Sequence, residues 1–284
     1  MRRRGFAGGR VLLAVALAAL VLLAAPACAG KKAKPAKDKY EGMGAAQIYE
    51  LAMRQIESGK HAKARDTLQA ALGRSDITPE LTTKIHLSLA DAYFLDGGLI
   101  NLAEALSRYT NFLTFYPNHE RADYVQYQLG LCHLKQTLSP DRDQAQTRKA
   151  LAELSKVENL YPGSEYIQEA ETKADEAREM LAEHEFRIGY FYFKRRSYNG
   201  AIDRFRDVLE NFPRYSRRDQ LYLLLGQSLL EMRKDDEGRL YLEKLVAEYP
   251  DSPHAGTARL LLADRRTGGD PARRLPSPQP WPAP

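Results

Sequence analysis

Apolar residues in the middle of the chain recur at intervals of three and four, which is the spacing of amphipathic helices. Residues 183–213 show this pattern most completely. Gly189 and Ala201 are small at the points where two antiparallel helices would cross closely, and Pro213 ends the second helix because it lacks the amide hydrogen. The seam beside the crossing is filled by Ile188, Tyr192, Phe205 and Val208. The stretch therefore predicts one helical hairpin.

The same spacing recurs along the chain with a period of about 34 residues, which is typical of tetratricopeptide (TPR) repeats. The predicted crossing residues of the other four hairpins are Ala52 with Ala64, Ala90 with Ala105, Gly130 with Ala150, and Gly226 with Gly238. Residues 97–101 are expected to lengthen the turn of the second hairpin by about three residues relative to the repeat template. In the third hairpin, about eight additional residues around 139–146 are expected to form a loop. Unbroken helical spacing predicts one long helix over residues 165–194. The fold predicted is all-α: a TPR superhelix of about five helical hairpins, closed by a C-terminal capping helix at residues 252–263.

The N-terminal segment has the pattern of a lipoprotein signal peptide over residues 1–27. An arginine-rich start precedes an apolar run of 13 residues, shorter than the 18 or more of a membrane-spanning helix. Ala27 stands directly before Cys28, as in a bacterial lipobox, so Cys28 is predicted to carry a covalent lipid; the alternative is an ordinary signal peptide cut near Ala27. Ala29, rather than Asp, follows the cysteine and favours the outer membrane.

The remaining boundaries follow from composition. Residues 28–42 form a flexible basic tether, whose lysines either approach anionic phospholipid or only keep the spacer soluble. The repeats occupy residues 43–263, and residues 264–284 form a proline-rich tail expected to be disordered.

The formal net charge of +5 does not indicate a nucleic-acid surface, because the excess of basic residues lies within residues 1–10 and 31–39. Acidic residues slightly outnumber basic ones in the rest of the chain, whereas binding to phosphates needs a cationic face. Nucleic acid is therefore not an expected partner.

No catalytic or metal-binding pattern stands out in the sequence. The six histidines show no paired ligand spacing, and residues 141–146 lack the glycine and terminal glutamate of a calcium loop. Cys132, between Leu131 and His133, is expected to be a small buried apolar residue. We therefore expect a protein that is not an enzyme and has no cofactor or metal beyond the lipid on Cys28.

Residues 183–213 serve as the template for the other hairpins. First-helix positions that correspond to two or five residues before or after Ile188 face the concave surface of a repeat array. In the first three hairpins they define the N-terminal groove, which is mostly aromatic and apolar: Tyr49, Met53, Ile56, Leu87, Asp91, Phe94, Tyr124, Tyr127, Leu131 and Leu134. Such a lining suits an extended peptide with alternating aromatic residues. The alternative is that these side chains only pack against neighbouring helices.

Three segments carry a more specific pattern: residues 123–131 (DYVQYQLGL), residues 141–166, which include the loop, and residues 185–205, which start at EFRIGY. With them the chain resembles the BamD family, the TPR lipoproteins of the outer-membrane β-barrel assembly (Bam) machine, over residues 45–263. The resemblance implies a lipid-anchored scaffold on the periplasmic face of the outer membrane. Its C-terminal half would bind the barrel-inserting subunit, and its N-terminal half would receive unfolded outer-membrane proteins.

The resemblance and the helix geometry together select Arg204 as a residue that contacts the barrel-inserting subunit. It precedes inward-facing Phe205 by one position and so points about 100° away from the seam; the alternative is a solvated surface charge. Two other functions remain open at this point: a periplasmic TPR protein of envelope maintenance or cell division, and an activator of a peptidoglycan enzyme.

Overall fold

The protein is described here from a computed structural model, which covers residues 39–266, with side chains to residue 263. The chain divides into two units, residues 1–43 and 44–284, and of the first only the turns at residues 39–42 and Met43 are described. The described part of the second unit contains eleven α-helices and no β-strand: α1 Ala45–Glu57, α2 His61–Leu72, α3 Pro79–Asp96, α4 Gly98–Phe115, α5 Ala122–Leu134, α6 Ala145–Leu160, α7 Ile167–Lys194, α8 Tyr198–Asn211, α9 Arg218–Glu231, α10 Asp235–Glu248 and α11 Ala255–Arg266.

The helices pack as five consecutive hairpins, α1/α2 to α9/α10, and α11 packs against α10. Each hairpin also contacts the next one, so its apolar faces are covered on both sides, as in a repeat protein. The predicted architecture of five hairpins and a capping helix is confirmed. The capping helix starts and ends three residues later than expected.

Close crossings inside the hairpins depend on the predicted small residues. A Cβ atom built on Gly189 would lie 2.6 Å from Cε1 of Phe205, and one on Gly226 would lie 2.8 Å from Cγ of Leu242. Gly238 faces Gly226 across the last crossing, where its Cβ would lie 3.0 Å from the Gly226 carbonyl oxygen. Any side chain at these positions would push the helices apart.

An aromatic–proline pair ends four of the five second helices. The aromatic residue is the C-cap in each case and donates its backbone amide to the carbonyl four residues earlier: Tyr116, Tyr161, Phe212 and Tyr249. The following proline disfavours the helical conformation at that residue, so the helix ends there and the chain turns into the next hairpin.

The expected enlargement of the second turn is wrong. Gly97 alone connects α3 to α4, and residues 98–101 form the first turn of α4 instead. Gly97 and Gly98 adopt φ angles of 69° and 76°, a left-handed conformation that glycine allows at little cost. The extra residues therefore lengthen the two helices to 18 residues each.

The long helix and the long loop are both present. α7 spans 28 residues, two fewer than expected, and residues 135–144 separate α5 from α6. The loop is held rather than free, because Nδ1 of His184 on α7 lies 2.6 Å from the carbonyl oxygen of Pro140. The buried Gln144 also donates to the carbonyls of Ser139 and Arg142 within the loop.

Cys132 is fully buried among apolar residues of α3, α4 and α5, as expected. Burial raises the pKa of its thiol to about 12, so the thiolate is scarce at neutral pH.

Among the described residues, no helix is both long and apolar enough to cross a membrane.

Candidate peptide-binding groove and partner surface

The predicted groove residues lie on the first helices of three successive hairpins. Helix α1 carries the first group, α3 the second and α5 the third: Tyr49, Met53 and Ile56; Leu87, Asp91 and Phe94; and Tyr124, Tyr127, Leu131 and Leu134. Phe94 is buried, with 7% of its surface exposed, and the others are half-buried. Leu87, Phe94, Tyr124 and Leu131 pack on one apolar cluster. The structure thus brings the α3 and α5 members of the groove together.

A carboxylate lies at the centre of this cluster. Oδ1 of Asp91 accepts hydrogen bonds from the hydroxyls of Tyr109, at 2.6 Å, and Tyr124, at 2.9 Å. Burial raises the pKa of Asp91, although both hydrogen bonds oppose the shift. Burial and the Asp91 charge also raise the pKa values of Tyr109 and Tyr124, so both phenols remain protonated donors.

The raised pKa of Asp91 predicts a pH dependence. A carboxyl group whose pKa is higher in the folded state favours folding when protonated, and this contribution is lost as pH rises above the usual carboxyl pKa near 4. Asp91→Asn should therefore gain stability relative to the wild type as pH is raised from about 4 to 7. Urea unfolding of both proteins across this range measures the difference; a relative gain on acidification would contradict the assignment.

Three tyrosines, Tyr124, Tyr127 and Tyr166, pack side by side at the groove. The ring of Tyr166, just before α7, lies 5.6 Å from that of Tyr124 and stacks on that of Tyr127 at 5.5 Å. Tyr127 also packs against the α6–α7 cluster of Leu154, Val157, Ala170 and Ala174. Tyr127 therefore packs against the long helix, as the alternative interpretation expects, and remains half-buried.

Two cations that the repeat template missed flank the groove. The guanidinium of Arg121 lies 4.4 Å from the ring centre of Tyr124, and Nζ of Lys135 lies 4.0 Å from that of Phe94. Both residues stand just outside α5, at its N-cap and C-cap, whereas the template considers only helical positions. The spacing of three residues between Arg121 and Tyr124 is a local signal for the first contact. Lys135 and Phe94 lie in different hairpins, so their contact has no local signal in the sequence.

Arg204, the predicted partner contact, lies on α8 and points away from the seam. Its side chain is 41% exposed, whereas neighbouring Phe205 is fully buried, so the expected difference in exposure is confirmed. Nη1 of Arg204 donates to Oε2 of Glu185 on α7 at 2.9 Å. Part of the guanidinium is therefore already paired within the chain, and its outer edge stays accessible.

A second carboxylate on α7 fixes the segment that follows α8. Glu183 accepts hydrogen bonds from Arg187 on its own helix, from the hydroxyl of Tyr215 at 2.5 Å and from Arg217 at 3.2 Å. Burial and this contact raise the pKa of Tyr215. The network holds the α8–α9 connection against the long helix and so presents α8, with Arg204, on a rigid support.

Comparison with known proteins agrees with this architecture. The model of the YfiO family, described as an outer membrane lipoprotein, matches residues 41–232. A tetratricopeptide-repeat model matches residues 220–252, which contain most of α9 and all of α10. The chain is 30% identical over 252 residues to the outer membrane protein assembly factor BamD of Caulobacter vibrioides, covering 88% of this chain and 81% of that protein.

Two further relatives bear related names. The Vibrio cholerae outer membrane protein assembly factor BamD is 27% identical over 177 residues, or 59% of this chain and 72% of that protein. The putative factor of the same name from Aquifex aeolicus is 29% identical over 243 residues, or 84% and 76%. With a family model that spans more than half of its length and an assembly factor 30% identical to most of it, this chain belongs to the YfiO family of outer membrane lipoproteins.

Proposed function

We propose that this protein is a lipid-anchored scaffold subunit of the outer-membrane β-barrel assembly machine, exposed to the periplasm. In this role it binds the barrel-inserting subunit through its C-terminal half and unfolded barrel proteins through the N-terminal groove. The observation that carries the proposal is the match to the lipoprotein family, with relatives named as assembly factors. A hairpin array with separate surfaces in its two halves suits a protein that joins two partners.

The anchor rests on the sequence alone, because Cys28 lies outside the described residues, as do the signal peptide and most of the tether. A covalent lipid on Cys28 would hold the scaffold at the inner face of the outer membrane. The scaffold role requires no catalytic chemistry, no cofactor and no metal; among the described residues no cluster of His, Cys, Asp and Glu is arranged to hold a metal ion.

The chemistry of the groove supports an extended apolar client. The half-buried aromatic rings can pack against alternating side chains of a strand-like peptide, and the hydroxyl of Tyr124 is already fixed by Asp91. A rigid aromatic surface loses little side-chain entropy on binding. The groove therefore favours segments with aromatic residues at alternate positions, such as the C-terminal strand of a barrel protein.

Crosslinking to a client peptide tests the groove. Tyr124→Ala combined with Tyr127→Ala should weaken binding of a barrel protein's C-terminal peptide by about tenfold or more, because a central aromatic contact is worth about 1–2 kcal/mol and 1.4 kcal/mol is tenfold. The measurement is photocrosslinking at several peptide concentrations, with circular dichroism to verify the helical content.

Two variants separate binding from stability. Tyr124→Phe retains the ring and loses only the hydroxyl, so it should keep most of the binding. Tyr241→Ala removes a partly buried tyrosine from the C-terminal cluster, away from the groove, and should leave binding unchanged. Equal crosslinking by the folded double variant and the wild type would refute the groove as the client site.

Arg204 provides the test of the second surface. Arg204→Glu should weaken binding to the periplasmic domains of the barrel-inserting subunit by roughly 2 kcal/mol or more, the cost of truncating a desolvated interfacial pair. The loss of stability should stay below about 1 kcal/mol, because the Arg204–Glu185 pair is partly solvent-exposed. Calorimetric titration and thermal unfolding measure the two effects.

A charge swap distinguishes the two roles of this arginine. Combining Arg204→Glu with Glu185→Arg restores an ion pair between α7 and α8 but not the position of the cation. If Arg204 contacts the partner, the swapped protein should regain stability and still bind weakly. Recovery of full binding would show that Arg204 acts only by pairing with Glu185.

A further inference from the structure

Exposed aliphatic and aromatic residues gather where first helices end. Leu99 is 73% exposed and Ile100 87% exposed, at the start of α4, and Leu95 is 51% exposed at the end of α3. Leu138 in the α5–α6 loop and Phe191 near the end of α7 are about half-exposed as well. We call these five residues the turn-end patch.

Contacts between the hairpins join the parts of this patch. Lys135, at the end of α5, lies over the ring of Phe94 near the end of α3. The α5–α6 loop then reaches α7, where His184 contacts the Pro140 carbonyl and Arg187 lies 3.7 Å from Asp141. Phe191 follows Arg187 by one helical turn. These contacts bring the turn regions of the second, third and fourth hairpins, which carry the patch residues, next to one another.

The turn that carries Leu99 and Ile100 is open to solvent. A Cβ atom built on Gly97 or Gly98 would meet no atom within 4 Å, so nothing in the described structure covers this turn. Two adjacent aliphatic side chains on an uncovered turn expose more apolar surface than an isolated surface leucine does, and such surface usually has a partner.

Exposed cations accompany the patch in the turn regions of the third and fourth hairpins. Lys135, Arg142, Lys194, Arg195 and Arg196 are all exposed, and Arg195 lies 4.4 Å from the ring of Phe191. The nearby acids each face an arginine: Asp96 lies 2.6 Å from Arg65, Asp141 3.7 Å from Arg187 and Asp143 4.0 Å from Arg148. Protruding apolar side chains with lysine and arginine beside them match the interface of an anionic phospholipid bilayer.

We propose that the turn-end patch is a membrane-docking surface, with Leu99 and Ile100 inserted among the acyl chains and the surrounding cations placed against anionic headgroups. The proposal rests on the proposed membrane anchor, which brings the chain to a bilayer. Ala45, the first residue of α1, lies at the opposite end of the first helices from the patch, because its amide donates to Asp76 in the α2–α3 loop. The segment between Cys28 and Gly44 would span about 55 Å if fully extended. The 18-residue α3 is about 27 Å long. The segment is therefore long enough for a lipid on Cys28 and the turn-end patch to reach the same bilayer.

Site-specific fluorescence on vesicles tests the docking. Residues 29–284 with an N-terminal histidine tag are held on vesicles of phosphatidylethanolamine and phosphatidylglycerol that contain a nickel-chelating lipid, so the result does not depend on lipidation of Cys28. A polarity-sensitive dye is attached to Ile100→Cys or, as the matched control, to Phe115→Cys at the other end of α4, where Phe115 is 73% exposed against 87% for Ile100. The unmutated chain, with only buried Cys132, is the labelling blank.

The dye at position 100 should shift to the blue, brighten several-fold and be quenched by a quencher placed in the acyl chains, whereas the dye at position 115 should report water. Lys194→Glu with Arg196→Glu should reduce the shift, as should vesicles without phosphatidylglycerol. A water-like signal at position 100 overturns the proposal, as does insertion of position 115 instead. A shift that arises only after the barrel-inserting subunit is added would assign the patch to a protein contact and also overturn it.

Discussion

Replacing Phe205 with Ala is expected to lower the free energy of unfolding by about 3–5 kcal/mol, the usual cost of emptying a large buried aromatic site. Phe205 is fully buried, its ring lies 5.7 Å from that of Phe186, and it fills the space that Gly189 leaves at the α7–α8 crossing. Because α7 and α8 join the two ends of the array, the loss should appear in the main unfolding transition. Urea unfolding followed by circular dichroism measures it.

A matched truncation on the surface provides the comparison. Leu240→Ala removes an aliphatic side chain from α10 that is about half-exposed, and surface substitutions of this kind usually change stability by less than about 0.5 kcal/mol. Equal losses in the two variants would contradict the packing described for the fourth hairpin.

Replacing Cys28 with Ala is expected to move nearly all of the protein from the membrane fraction to the soluble periplasmic fraction. Each buried methylene of a lipid contributes about 0.8 kcal/mol to membrane binding, so removal of the acyl chains removes most of the affinity. A lysine of the tether that approached an anionic surface would contribute about 1 kcal/mol, and high salt would weaken this attraction. Fractionation in low and high salt, followed by immunodetection, measures the distribution.

Cys132→Ala is the control for this change. It also removes a cysteine, but one that is buried in the second and third hairpins, and should leave the protein in the membrane. A Cys28→Ala protein that resists extraction in high salt, in cells that lack the barrel-inserting subunit, would exclude lipidation as the anchor.

The order and pairing of the helices could be predicted because repeat spacing is a local signal. Gly189, Gly226 and Gly238 occupy crossings where a side chain would clash, so their small size is visible directly in the sequence. The unbroken helical spacing of residues 165–194 likewise predicted α7 to within two residues at its start.

The prediction failed where a local signal had two structural solutions. Extra residues after Gly97 either enlarge a turn or extend a helix, and the positive φ angles of Gly97 and Gly98 permit the tighter turn. The predicted groove residues lie on first helices, as the repeat template requires, but their environment depends on non-local contacts. Tyr166, Arg121 and Lys135 come from outside the helical positions that the template samples, so their contacts with Tyr124, Tyr127 and Phe94 required the structure.

Co-purification from detergent-solubilised outer membranes tests the central claim, that this chain is a scaffold subunit of the barrel assembly machine. The tagged full-length protein, expressed at its native level, should retain the barrel-inserting subunit as the most abundant partner identified by mass spectrometry, and the Arg204→Glu protein should retain much less. Recovery of cell-division or peptidoglycan proteins instead, with the barrel-inserting subunit absent, would contradict the account.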